Sequence, residues 1–189
     1  MRNFDIKDSW NYYRSLSEDM SQTSRYVEPR EQEDVFSFEF AKIIILSCTE
    51  LESVFKAICS EISGSDCGNI GQYKETILSR FPNIINAEVE IPRYGQKIKP
   101  FAGWNTGHLF WWDAYNDVKH TRAGSIQQAS YRNAVFALAA LLIAILYYKE
   151  IINADFFTYD EGYLSTDYSD TTVVYSPQKK LPDYETANS

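Results

Sequence analysis

AVFALAALLIAILYY, residues 134–148, is an unbroken run of 15 apolar and aromatic residues, and its reading decides the fold. A helix that crosses a bilayer needs about 20 such residues, so the run is short for a span and too apolar to face water on any side. A helix that is hydrophobic all round belongs in the middle of a helical protein. Ser125 can cap it, giving a last helix over residues 126–153. An interfacial helix is a poorer reading, because the run lacks the Lys/Arg-rich polar face such helices carry. No membrane partner is expected.

Such a core helix needs partners, and the rest of the chain offers them. Trp10, Tyr13, Leu16 and Met20 repeat at three and four, the spacing of an amphipathic helix over residues 6–25. Pro29 breaks it. Glu31, Glu33 and Asp34 suit the first turn of a second helix running from Arg30 to about Ser63. Its core stripe is Phe36, Phe40, Ile43, Ser47, Leu51, Val54, Phe55 and Ile58. At Ile44, Ile45 and Leu46 that helix becomes apolar nearly all round, which asks for a second neighbour. A second copy of the chain, and hence a homodimer, is the expectation.

Gly64, Gly68 and Gly71 mark a loop, and a short helix over residues 72–80 ends before Pro82. Residues 87–91 and 97–99 alternate about the turn residues 92–95, as a small hairpin does. After Phe157 the helical pattern stops. Residues 171–175 have the composition of one strand, and the final dozen residues look frayed. These features predict an all-α bundle of four or five helices with a small β-hairpin or loop insert over residues 1–157. An irregular, acidic, Tyr-rich extension follows over residues 158–189.

The net charge is −8 and the sequence pI about 4.8, which argues against a protein that coats nucleic acid through bulk electrostatics. From Asp155 onward seven acids face two lysines, so residues 155–189 carry five of the eight excess negative charges. The first 154 residues carry only −3, which leaves room for a local basic patch on the body. Cys48, Cys59 and Cys67 are odd in number and lack a C-x-x-C pair, the pattern of ordinary thiols in a reducing cytoplasm. The N-terminus MRNFDIKDSW has no apolar core of a secretory signal. With two histidines and no H-x-x-x-H, H-E-x-x-H or C-x-x-C, no metal or other cofactor is expected. Absence of G-x-G-x-x-G, G-x-x-x-x-G-K-[ST] and G-x-S-x-G argues against nucleotide hydrolysis and serine chemistry.

The chemistry concentrates in WWDAYNDVKHTR, residues 111–122. At 100° per residue Asp113, Asn116 and His120 share one helix face, flanked by Trp112 and Lys119. Trp111, Tyr115, Val118 and Arg122 form a more apolar ridge. The tryptophans, Trp104 included, read as packing rather than as platforms for stacked bases. His120 beside them also fits a partly buried structural residue donating to a carbonyl or carboxylate. Lys119 and Arg122 also fit a solvated helix end, where positive charge suits the dipole. Glu50 stands at the margin of the second helix's stripe, where it can pair with a cation on the motif helix. His108 lies in the loop just ahead.

The order aromatic-aromatic-x-x-Tyr-Asn-x-x-Lys-His-x-Arg resembles the HEPN superfamily. It is preceded by the long helix reading CTELESVFKAIC (48–59) and followed by the apolar last helix. The resemblance covers about residues 30–150. It implies a small dimeric helical bundle of a prokaryotic defence or toxin–antitoxin system, with RNA as substrate and a cognate antitoxin or defence-system protein as partner. In active members an Arg, a polar residue and a His cleave RNA without metal across the dimer interface. Asn116 and His120 match the polar residue and the His, which makes them the candidate catalytic pair. The family's arginine falls at Tyr115, a departure that touches half of that chemistry. Lys119, Arg122, Tyr115 and Asp113 are the candidate substrate-binding or charge-stabilising residues, and Glu50 a supporting one. A non-catalytic dimeric scaffold, sensor or interaction module of the same fold is the alternative.

Overall fold

The structure is a computed structural model that describes residues 4–28, 31–91, 95–154 and 181–184, without the side chains of Arg122 and Ala123. Among these residues the chain forms α1 (Ile6–Thr23), α2 (Phe38–Ser63), α3 (Ile70–Arg80), α4 (Phe110–His120), the single turn α5 (Arg122–Ser125) and α6 (Tyr131–Ile151). One antiparallel hairpin, β1 (Val89–Ile91) with β2 (Gln96–Ile98), is inserted between α3 and α4. The architecture is the helical bundle with a small extended insert that the periodicity predicts.

Helix α6 runs through the centre, packed against α1, α2 and α4. Ala134, Ala137, Ala139, Ala140 and Ala144 are fully buried, and side chains this small let neighbours approach from several sides. Tyr131–Ile151 is long and apolar enough to cross a bilayer, but 72% of its most apolar window is buried inside the protein. Its apolar surface is therefore spent on the bundle core. In α2 the stripe from Phe40 to Ile58 is buried, Ser47 included. Each such Leu, Ile or Phe contributes about 1.5–3 kcal/mol.

Two helix starts differ from the sequence reading, for one shared reason. Residues 31–36 are not helical. Instead, the carbonyls of Val35 and Glu33 accept from the backbone N–H groups of Tyr131 (2.9 Å) and Arg132 (3.0 Å), which are first-turn donors of α6 without partners inside that helix. The Ser37 N–H donates to the Ala129 carbonyl at 3.2 Å, and Phe36 forms a bridge with Ser130. α2 then begins at its own cap, Ser37, whose Oγ accepts from the Phe40 N–H at 3.1 Å. Phe36 is left outside the stripe, 47% exposed. The cap of α6 is Ser130, accepting from the Asn133 N–H at 3.2 Å. Ser125 does not cap it. Its hydroxyl turns back to the Asp117 and Thr121 carbonyls (2.8 and 2.9 Å) at the end of α4.

The hairpin pairs Val89 with Ile98 and Ile91 with Gln96, and the inward Val89, Ile91 and Ile98 are buried. The 92–94 turn, the break at Pro29, and the strand expected at residues 171–175 lie outside the described residues, as does most of the 158–189 extension.

The end of the chain corrects one expectation. Residues 181–184 are not frayed but docked. Leu181 is buried, and Tyr184 packs its ring against Phe81 (5.9 Å) and Tyr147 (6.2 Å). Asp183 accepts from the Asn83 N–H at 3.0 Å and from the Tyr147 hydroxyl at 2.9 Å. Deleting residues 178–189 removes two hydrogen bonds to a carboxylate and uncovers two aromatic rings, a loss of about 2 kcal/mol or more. The melting temperature followed by circular dichroism should fall by roughly 4–8 °C. An unchanged value would show that the docked segment contributes nothing in solution.

Candidate functional site

Helix α4 divides as its register predicts. Trp111, Ala114, Tyr115 and Val118 are buried toward α2 and α6, with Trp112 beside them. Asp113, Asn116, Asp117, Lys119 and His120 are exposed. The tryptophans are packing residues: the Trp111 indole donates to the Pro100 carbonyl at 2.8 Å, and Trp112 sits edge-on to Trp111 and Tyr115. Trp104 is stacked on Phe55 with ring centroids 5.7 Å apart.

At the seam between α4 and α2, Tyr115 is 1% exposed, yet its hydroxyl reaches the edge of the core. It donates to Glu52 Oε1 at 3.0 Å and accepts from Lys119 Nζ at 2.8 Å. Lys119 Nζ is 3.9 Å from the same carboxylate and 4.9 Å from the centroid of the Tyr115 ring. Burial pushes the Tyr115 phenol up, with Glu52 adding to the rise, while the bonds from Lys119 and Thr49 oppose it. Lys119 is raised chiefly by its bond to Tyr115, which outweighs the cost of burial, with the nearby Tyr115 and Glu52 charges adding to the rise. Each member of this triad has a partner, so the lysine's charge is tied to an acid on α2.

Glu50, expected to reach this helix, does not. It accepts from the Ser9 hydroxyl on α1, and Glu52 takes the place beside α4. Two residues along a helix turn the side chain by about 200°, so the two glutamates serve opposite neighbours. Neither Glu52 nor Thr49 stood out in the sequence, because the repeat of α2 alone does not say which of its edges faces α4.

Asp113 lies 3.8 Å from His108 Nδ1, both largely exposed. His120 and Asn116 are therefore not part of that pair. Among the described residues neither side chain has a protein hydrogen-bond partner, and His120 is not covered by Trp111 or Trp112. The Arg122 side chain lies outside the described residues. Asp117 borders the face, so its charges are mixed rather than basic. No group of three His, Cys, Asp or Glu residues able to hold a metal occurs among the described residues. No protein-family model, curated protein or solved structure matches the chain.

What the arrangement offers chemically is an imidazole open to solvent, an amide one turn before it, and a cation on the flank that is held by Tyr115 and Glu52. Replacing Tyr115 by Phe should cost about 0.5–1.5 kcal/mol in urea unfolding, because the Lys119–Glu52 contact loses its bridging hydroxyl. The same variant carries a pH signature. A phenol whose folded pKa is raised supplies stability in full below its unfolded pKa near 10 and loses it as pH rises through the folded value. The alkaline loss of stability should thus be shallower in Tyr115→Phe than in the wild type. An identical alkaline limb would place the titration elsewhere.

Proposed function

We propose that this chain is a HEPN-like, metal-independent ribonuclease-type effector of a bacterial defence or toxin–antitoxin system, acting in the cytoplasm as a homodimer. The observation that carries this reading is the pairing of Asn116 and His120 on one exposed face of α4, neither committed to another protein group among the described residues. A structural histidine at that position would be covered or bonded. An imidazole is the side chain suited to giving and taking a proton near neutrality.

The reaction is attack of an RNA 2′-oxygen on the adjacent phosphorus, with departure of the 5′-oxygen and formation of a cyclic phosphate. One His120 takes the 2′-hydroxyl proton, and the His120 of a second copy returns a proton to the leaving 5′-oxygen. Asn116 donates to a non-bridging phosphate oxygen, and Lys119 offsets the charge that accumulates there. The second copy sits on the outer face of α2. Ile43 and Ile44 are fully buried in the bundle, whereas Ile45 and Leu46 keep part of their surface exposed and Phe38, two turns before them, is 76% exposed.

His120→Ala should lower cleavage of RNA by roughly 10²-fold or more with fold and dimer intact. Asn116→Ala should lose less, and EDTA should have no effect. Cleavage that survives in His120→Ala removes this reading. Ile45→Glu should convert a dimeric sedimentation profile to monomer or insoluble protein, since a lone charge cannot be buried at an apolar interface without large cost. A wild-type monomer at micromolar concentration would count against the dimer.

One observation favours a second reading, a catalytically inactive scaffold, sensor or interaction module of the same fold, bound to a cognate antitoxin or defence-system protein. Tyr115 stands where the family's arginine is expected, is buried, and shares the Lys119 charge with Glu52. On this reading the wild type cleaves no RNA, and Tyr115→Arg, which restores a cation one residue before Asn116, gains activity.

A further inference from the structure

Phe110 and Arg132 stand together outside the core. Phe110, the first residue of α4, is 41% exposed. Its ring meets Phe136 of α6 in a T-shaped contact with centroids 4.8 Å apart, and the Arg132 guanidinium lies 4.7 Å from the Phe110 centroid. Arg132 is exposed and forms no ion pair among the described residues. The start of α6 has already given its Tyr131 and Arg132 N–H groups to the carbonyls of Val35 and Glu33, so the guanidinium is the group left to meet an anion. A planar cation held against a flat ring offers a stacking surface and a phosphate ligand in one place. At 100° per residue Phe110 lies on the same exposed arc of α4 as Asp113, Asp117, Asn116 and His120, and it stands about 15 Å before His120 along the helix axis. Lys119 borders that arc on the α2 side and Arg132 on the α6 side.

We propose that Phe110 and Arg132 bind a single-stranded stretch of RNA beside the bond to be cleaved, Phe110 stacking one base and Arg132 holding a phosphate; this rests on the ribonuclease reading of Asn116 and His120. Trp111 and Trp112 are buried, which leaves Phe110 as the aromatic ring that this face presents to solvent among the described residues. A base is free to stack on a protein ring only where it has left a helix, so loops and unpaired ends are selected over duplex. Asp113 and Asp117 lie between the platform and His120 and repel phosphate. Stacking rather than charge therefore has to carry the affinity, and few phosphates are neutralised.

The probe is an unstructured oligouridylate carrying a single 2-aminopurine, whose fluorescence falls when the base stacks. The receptor is the full chain with His120→Ala, which keeps the strand intact. Binding should be saturable and quenched, and absent for the same strand annealed to its complement. Phe110→Leu in that chain keeps an apolar contact with Phe136 and removes the flat ring. It should abolish the quench and weaken binding by roughly 5- to 100-fold, whereas Phe110→Trp should retain both. Arg132→Gln should lower the slope of log affinity against log salt by about 0.7. Saturable binding that Phe110→Leu leaves unchanged, or no binding at all, overturns the proposal. Should Phe110→Leu not fold, the quench and the salt slope of Arg132→Gln decide in its place. Cleavage by the chain with its native His120, measured in parallel, separates platform from chemistry. Cleavage that Phe110→Leu leaves untouched removes the platform and keeps the ribonuclease, while Phe110-dependent binding without any cleavage keeps the platform as a strand-binding site and removes the ribonuclease.

Discussion

A helix with no polar side has to be covered on every side, and that constraint organises this molecule. α6 cannot be left at a surface, so α1, α2 and α4 are drawn around it. Its alanines set how near they come. Its first-turn N–H groups pose a second demand, because a buried helix start cannot rely on water. The strand-like residues 33–37 answer it by lending carbonyls to Tyr131 and Arg132. The beginning of α2 and the beginning of α6 are therefore one structural unit, although nearly a hundred residues separate them in sequence.

The α4 seam is the second fixed point. Tyr115 is both a core residue and the bridge between Glu52 and Lys119, so the residue that orients α4 on α2 also sets the direction of the exposed Asn116 and His120. An arginine in its place would have to keep its aliphatic stem in the same crevice and meet the Glu52 carboxylate with its head group. Geometry and charge at this seam are coupled, and a change made for one alters the other.

How much of this was legible in the sequence follows from where each feature's cause lies. The division of α4 into a buried ridge and an exposed polar face was legible, since a helical register is a property of the segment itself. So were the amphipathic α1, the stripe of α2 from Phe40 onward and the alternation of the hairpin. The starts of α2 and α6 were not. The acids at 31–34 looked like a first helical turn, but their backbone is claimed by donors on a distant helix. Glu50 marks the margin of the α2 stripe and Glu52 does not stand out, because a single helix's repeat does not reveal which edge each neighbour occupies. The seating of Leu181–Tyr184 was hidden for the same reason: its partners Phe81, Asn83 and Tyr147 lie on two other elements, and a polar, Tyr-containing stretch carries no periodic mark of docking.

The Asn83–Asp183 bond joins residues 100 positions apart, and this has a temporal side. Contacts within α2, α3 and α6 close short loops or none, whereas this one closes most of the chain, and closure entropy grows with loop length. During synthesis from the N-terminus, the Phe81 side of the groove is made a hundred residues before the segment that fills it. The seat is thus among the last contacts that the chain can close.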